Sequence, residues 1–244
     1  MLGNNANSLG NKLESLKNNI SYFGPSVITI QETKFKTKGS VSLPGYKVFD
    51  EPRVGRDGGG LLTAVDVNLD PIIVPSDHED AEILTVQLSL GSTQIRVINA
   101  YGPQEDENSN KLFTFWQKLE QEIILAKDNF CLVLLELDAN AKVGFEVLDQ
   151  DLHSTSGNGK TLLEMIMRQN LYIANTFDQC QGVITRQRHT VNGIEKSVLD
   201  YVIICDKLKD FFNTMIIDEA RTHVLTRFTV KNGIKKNRFV QIIT

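Results

Sequence analysis

The sequence predicts a mixed α/β fold with its chemistry gathered at strand ends, and three observations carry that reading. Short apolar runs alternate with stretches of helical periodicity along most of the chain. The run Cys131-Leu-Val-Leu-Leu-Glu-Leu137 is nearly all apolar and breaks abruptly into Asp138-Ala-Asn140, as a buried central strand does at its end. A second run, Val27 to Ile30, breaks in the same way into Gln31-Glu32.

The bulk numbers narrow the class. With 244 residues, 41% of them hydrophobic, the chain can build one sizeable core. It contains no Pro- or Ser-rich linker, repeat or low-complexity tract, so one domain over 1–244 is expected. Apolar runs fall far short of a membrane span, and Met1 to Ala6 lack the regions of a signal peptide, so a soluble, intracellular chain with no membrane partner is expected. Cys131, Cys180 and Cys205 are far apart and read as reduced residues, two of them in strand-like runs. His78, His153, His189 and His223 are dispersed and no G-x-S-x-G occurs, which removes zinc and serine-nucleophile chemistry. A formal charge of −4 argues against holding nucleic acid by bulk electrostatics. The cations nevertheless cluster: Lys34, Lys36 and Lys38; Arg186, Arg188 and His189; and Arg227 to Arg238 with Lys231, Lys235 and Lys236.

Taken in order, a helix is expected from near Ser8, with Leu9, Leu13, Leu16 and Ile20 on one face. The strand through Val27 follows and leaves Glu32 at its C-terminal end. Gly58-Gly59-Gly60 lacks the spacing and the following helix of a phosphate cradle and reads as a flexible entrance to a strand. Strands are expected over Leu61 to Val67, Ile83 to Leu90 and Gln94 to Ala100, closing in Tyr101-Gly-Pro103. A helix over Asn108 to Lys127 buries Leu112, Phe115, Trp116, Leu119 and Ile123 and leads into the central strand. There, period two places Asp138 and Asn140 on one side, a carboxylate beside a carboxamide, although Asp-Ala-Asn also suits a simple turn. A further helix runs from about Lys160 to Asn170, followed by strands at Leu171 to Ala174 and Leu199 to Ile204.

The polar residues at these ends form an ordered set of motifs. Asn5-x-Asn-Ser-Leu, Ile30-Gln-Glu-Thr33, Asn99-Ala-Tyr-Gly-Pro103, Asp138-Ala-Asn-Ala141 and Ser197-x-x-Asp-Tyr-Val resemble, in sequence order, those of the endonuclease/exonuclease/phosphatase superfamily. More narrowly they resemble the apurinic-endonuclease-like nuclease domain of non-LTR retrotransposons, which Asn158-Gly-Lys, Asn175-Thr and Ile184-Thr-Arg also suit. The resemblance implies a deoxyribonuclease I-like sandwich of two packed β-sheets flanked by helices. It also implies a Mg2+ or Mn2+ cofactor, DNA as partner, a nuclear location, and in-line attack of water on a phosphodiester. On the same ground Glu32 and Asn5 are the expected metal ligands, and Asp138 orients or deprotonates water. Asn140 holds a phosphate oxygen, Tyr101 donates to phosphate or leaving group, Asp200 positions a histidine, and Thr185 with Arg186 meets the substrate.

Three departures from the pattern set further expectations. The closing Ser-Asp-His is absent, leaving His223, in Thr222-His-Val-Leu-Thr-Arg227, as a lesser stand-in. Only Met1 to Asn4 precede the Asn5 motif where a full strand is expected, so neighbouring backbone groups are expected to find other ladder partners. Leu137 replaces a glycine and is expected to crowd the phosphate, beside a charged Glu136. The reading is a weak or inactive nuclease domain, with a nonenzymatic nucleic-acid-binding remnant as the alternative; a lipid or inositol phosphate phosphodiesterase fits the motifs less well.

Overall fold

A computed structural model describes residues 13–53, 55, 58–76, 81–149, 153–191 and 193–217, and the backbone of 225–230 and 238–243. In chain order the elements are α1 (Leu13–Phe23), β1 (Val27–Gln31), β2 (Tyr46–Glu51), β3 (Leu61–Asp66), β4 (Ile72–Ile73), β5 (Glu82–Leu90), β6 (Thr93–Tyr101), α2 (Ser109–Asp128), β7 (Leu132–Asp138), α3 (Gly157–Arg168), β8 (Leu171–Ile173), β9 (Cys180–Gln181), β10 (Arg186–Thr190), β11 (Gly193–Ser197), β12 (Asp200–Cys205), α4 (Asp206–Lys209), β13 (Phe212–Ile217), β14 (Leu225–Val230) and β15 (Arg238–Ile243).

Two sheets face each other. One is seven-stranded in the order β2-β3-β1-β15-β14-β13-β9, the other six-stranded in the order β4-β5-β6-β7-β12-β8, and β10-β11 stands apart as a hairpin. Period-two alternation sorts the apolar residues into layers. Val27, Leu61 and Val65 of the first sheet meet Leu84, Val86, Val97, Leu134 and Val202 of the second. On the outer face of the second sheet, Ile98, Val133, Leu135 and Leu137 pack under Phe115, Trp116, Leu119 and Ile123 of α2 and Leu162 and Met165 of α3. Leu16 of α1 covers Ile28, Ile30, Leu62 and Ala64 of the first sheet. The two-sheet sandwich with outer helices is the architecture the sequence led us to expect.

The differences have physical causes. The expected start of the first helix near Ser8, and Asn5 before it, lie outside the described residues. α3 begins at Gly157, before Lys160, because tertiary caps override the poor helix propensity of Gly-Asn-Gly: Ser156 Oγ accepts the Gly159 N–H at 3.2 Å and Glu105 Oε1 accepts that of Asn158 at 3.2 Å. β10 and β11 escape the sequence pattern because they are largely solvated and carry no apolar face. β1 is paired on both sides, antiparallel with β3 and parallel with β15, Val27 opposite Val240 and Thr29 opposite Ile242.

Candidate active site

Strand registers bring the polar ends together. Tyr101 at the end of β6 stands opposite Asp138 at the end of β7, and Asp138 stands opposite Asp200 at the start of β12. Glu32 follows β1 in the facing sheet, and the sheets are stitched there by Asn99, whose Oδ1 accepts from Gln31 Nε2 at 2.8 Å while its Nδ2 donates to Leu62 O at 2.9 Å. Gln31, Glu32, Tyr101, Gln104, Asp138, Asn140, Thr185, Arg186 and Asp200 line one cavity of about 90 Å³. Every expected site residue among the described residues is therefore in one place.

Local geometry fixes their directions. Asn140 donates its backbone N–H to Asp138 Oδ1 at 3.2 Å, so the Asp-Ala-Asn turn exists and serves the site at once. Its Nδ2 donates to Gly102 O at 2.8 Å, and Gly102 N–H donates to Asp138 O at 2.7 Å. Gly102 must be glycine for this approach, because a Cβ would lie 2.6 Å from Ala139 O. The Tyr101 hydroxyl donates to Glu32 Oε1. Thr185 is buried; its Oγ1 accepts the N–H groups of Leu199 (2.9 Å) and Asp200 (3.1 Å), which fixes the start of β12. Asn175 holds β12 through Asp200 O and Val202 N, and Asn158 links Trp116 to Pro103 O in the Tyr101 loop.

Three carboxylates facing one small cavity repel one another. Burial, then the charge of Asp200, holds Asp138 well above the ordinary carboxylate range. Burial pushes Asp200 up to about 7, with the Thr185 hydroxyl and Arg186 acting downward and Glu32 adding to the rise. Burial, then Asp138 and Glu32, raise the Tyr101 phenol, which is a donor across the working range. This donor set suits a hard divalent cation with retained waters: three carboxylates supply oxygen, with Glu32 Oε2 outside the Tyr101 bond. It does not suit a cage of protein ligands, since no group of three His, Cys, Asp or Glu is close enough among the described residues.

No family model and no curated protein matches the sequence. Solved structures do match. The endonuclease domain of TRAS1, a telomere-specific non-LTR retrotransposon, has a TM-score of 0.68 at 18% identity, covering 91% of this chain and 93% of that one. The AP endonuclease LMAP from Leishmania major gives 0.74 at 15% identity over 95% and 86%. An endonuclease/exonuclease/phosphatase family protein from Leptotrichia buccalis gives 0.62 at 15% identity over 91% and 95%. The chain has the endonuclease/exonuclease/phosphatase fold.

Within that fold, one expectation is overturned. Leu137 does not crowd the site: strand alternation turns it away from Asp138 into the core beneath the helices, where it is fully buried. Glu136 points to the inter-sheet side and is buried, its Oε1 without a hydrogen-bond partner among the described residues. Sequence reasoning missed Gln104, although it adjoins the Tyr101-Gly-Pro103 motif, and it missed Arg53 and Glu82 beside Tyr101, for which no local motif exists. It also passed over Ser76-Asp77-His78, a Ser-Asp-His placed before β5; His78 and His223 both lie outside the described residues. Arg188 and His189 are exposed on β10, while the side chains of the Arg227 to Arg238 group are outside the described residues.

Proposed function

We propose that this chain is a divalent-metal-dependent phosphodiesterase domain of the retrotransposon endonuclease type, nicking DNA by attack of water on phosphate. The observation that carries the reading is the single cavity shared by Glu32, Tyr101, Asp138, Asn140, Arg186 and Asp200. Glu32, with Asn5 as the second expected ligand, would hold Mg2+ or Mn2+, which supplies charge neutralisation at the phosphate oxygens. Asp138, with its raised proton affinity, orients the water and takes its proton. Asn140 Nδ2 donates to Gly102 O and its second N–H faces the Tyr101 oxygen, from where it would turn to a phosphate oxygen. Tyr101 holds the Glu32 carboxylate, a role nearer the metal than the phosphate donor first expected. Exposed Arg186 meets the DNA backbone at the rim.

Activity as the chain stands turns on an imidazole. A nonenzymatic nucleic-acid-binding domain is the alternative reading. Two histidines outside the described residues, His223 and His78, precede described strands in the sequence. β14 starts at Leu225, opposite Ile243, level with the end of β1, two residues after His223. β5 starts at Glu82, opposite Tyr101, four residues after His78.

Calorimetric titration of Mg2+, with and without a duplex oligonucleotide, tests the cation site: weak binding strengthened by DNA and lost in Glu32→Ala is expected, and equal affinity in both proteins contradicts it. Duplex affinity should fall with salt, and Arg186→Ala with Arg188→Ala should flatten that dependence by roughly 0.9 for each phosphate no longer neutralised; a slope unmoved by both changes removes the hairpin from the DNA site. His78→Ala and His223→Ala, compared in duplex cleavage, assign the imidazole to whichever loses rate on the order of 10²–10³.

A further inference from the structure

Beside the cavity, two charged side chains outside the site's motifs are nearly buried. Arg53 Nη2 donates to Glu82 Oε2, with 14% and 18% of the side chains exposed. Glu82 is the cross-strand neighbour of Tyr101, and the Arg53 Cζ lies 5.4 Å from the Tyr101 ring centroid, so the pair backs the tyrosine that holds Glu32. Arg53 Nε is buried with no acceptor among the described residues, which leaves the guanidinium dependent on one carboxylate. Burial opposes its charge, but Glu82, then Tyr101 and Glu32, outweigh burial and hold its proton more tightly than usual.

Glu82 has a second attachment. Its Oε1 accepts the Gly60 N–H at 2.5 Å, while Gly60 O accepts from Thr33 N at 3.1 Å and Gly59 O from Lys34 N at 2.8 Å. Those two amides follow Glu32, and Glu32 and Lys34 both sit at φ 54°, in the left-handed region that needs outside support in a non-glycine residue. The glycines are required here: a Cβ on Gly60 would lie 2.6 Å from Thr33 Oγ1, and one on Gly59 would overlap the Arg53 and Glu82 side chains. The run Gly58-Gly59-Gly60 is thus a backbone splice between Glu82 and the Glu32 turn.

We infer that Glu82 is a positioning residue for the cation site, holding the Arg53 guanidinium away from Glu32 and bracing the Glu32 turn through Gly60. The inference rests on the proposed cation reading. With Glu82 neutralised, the guanidinium keeps its charge in a half-buried place and Glu32 becomes the carboxylate within its field, so Arg53 competes with a divalent ion for the same oxygens.

The test is Mn2+ binding followed by electron paramagnetic resonance, with thermal melting as a folding control. Glu82→Gln keeps the Gly60 acceptor and removes the charge, and should weaken Mn2+ on the order of tenfold, the size of coupling between neighbouring charges. The double variant Arg53→Met with Glu82→Gln should regain most of that loss. A folded Glu82→Gln with unchanged Mn2+ affinity overturns the inference, as does a double variant no tighter than the single. Should Glu82→Gln fail to fold, Arg53→Met alone decides: tighter Mn2+ binding supports the inference and unchanged binding overturns it. Equal Mn2+ binding by wild type and Glu32→Ala contradicts the cation reading, and this inference falls with it.

Discussion

Glu32 and Asn140 both stand at left-handed backbone, φ 54° and 45°, and both face the same cavity. Asparagine tolerates that region better than other side chains, and here its amide also closes on Gly102 O. Asn140→Ala should therefore cost about 1–3 kcal/mol of stability, combining the left-handed penalty with an unpaired carbonyl. Asn140→Gly should recover part of that stability and none of the cleavage rate. Chemical denaturation beside a cleavage assay separates the two, and an alanine variant as stable as wild type contradicts the backbone argument. Asp138 and Asn140 were legible in the sequence as the polar break that ends an apolar strand, although a turn beyond β7, and not strand period, brings Asn140 beside Asp138. The Arg53–Glu82 pair was not, since its partners are joined by sheet register across distant segments.

At the scale of the element, β7 shows how one strand serves two layers. Val133, Leu135 and Leu137 face the helices, whereas Leu134 and Glu136 face the other sheet. Burial, then the charge of Asp200, raises Glu136 well above its ordinary 4.5. Such a group binds its proton more tightly folded than unfolded, so its contribution is fully present below the unfolded value and is lost as pH rises toward the folded one. Asp200, raised from 3.8 to about 7, acts in the same sense. The metal-free protein should lose stability as pH rises across that window, each group contributing at most about 1.4 kcal/mol per pH unit. Glu136→Gln should flatten the dependence; a variant with the wild-type slope would show that Glu136 ionises freely in the folded protein. The interruption by Glu136 was visible in the sequence, but its direction was not, because facing follows from register with β6 and β12.

For the whole molecule, the mixed α/β architecture was legible because its central strands are apolar and broken by polar ends and α2 carries its apolar face at helical spacing, whereas the two-sheet sandwich was expected from the family resemblance. The outer ribbons were not, since solvated strands such as β10 and β11 carry no burial pattern to read. Nor was the place of β15, which lies beside β1 through a pairing that no local sequence encodes. The assembled sheets put residues from widely separated segments, Glu32 to Asp200, into one cavity, and the account stands on that convergence being a phosphodiesterase site. The most direct measurement is Mg2+-dependent nicking of supercoiled plasmid by wild type and by Asp138→Ala, each shown to be folded. The account predicts nicking by the wild type, however slow, that needs the divalent ion and disappears with Asp138. Nicking that survives Asp138→Ala, or a folded wild type that never nicks, would contradict it.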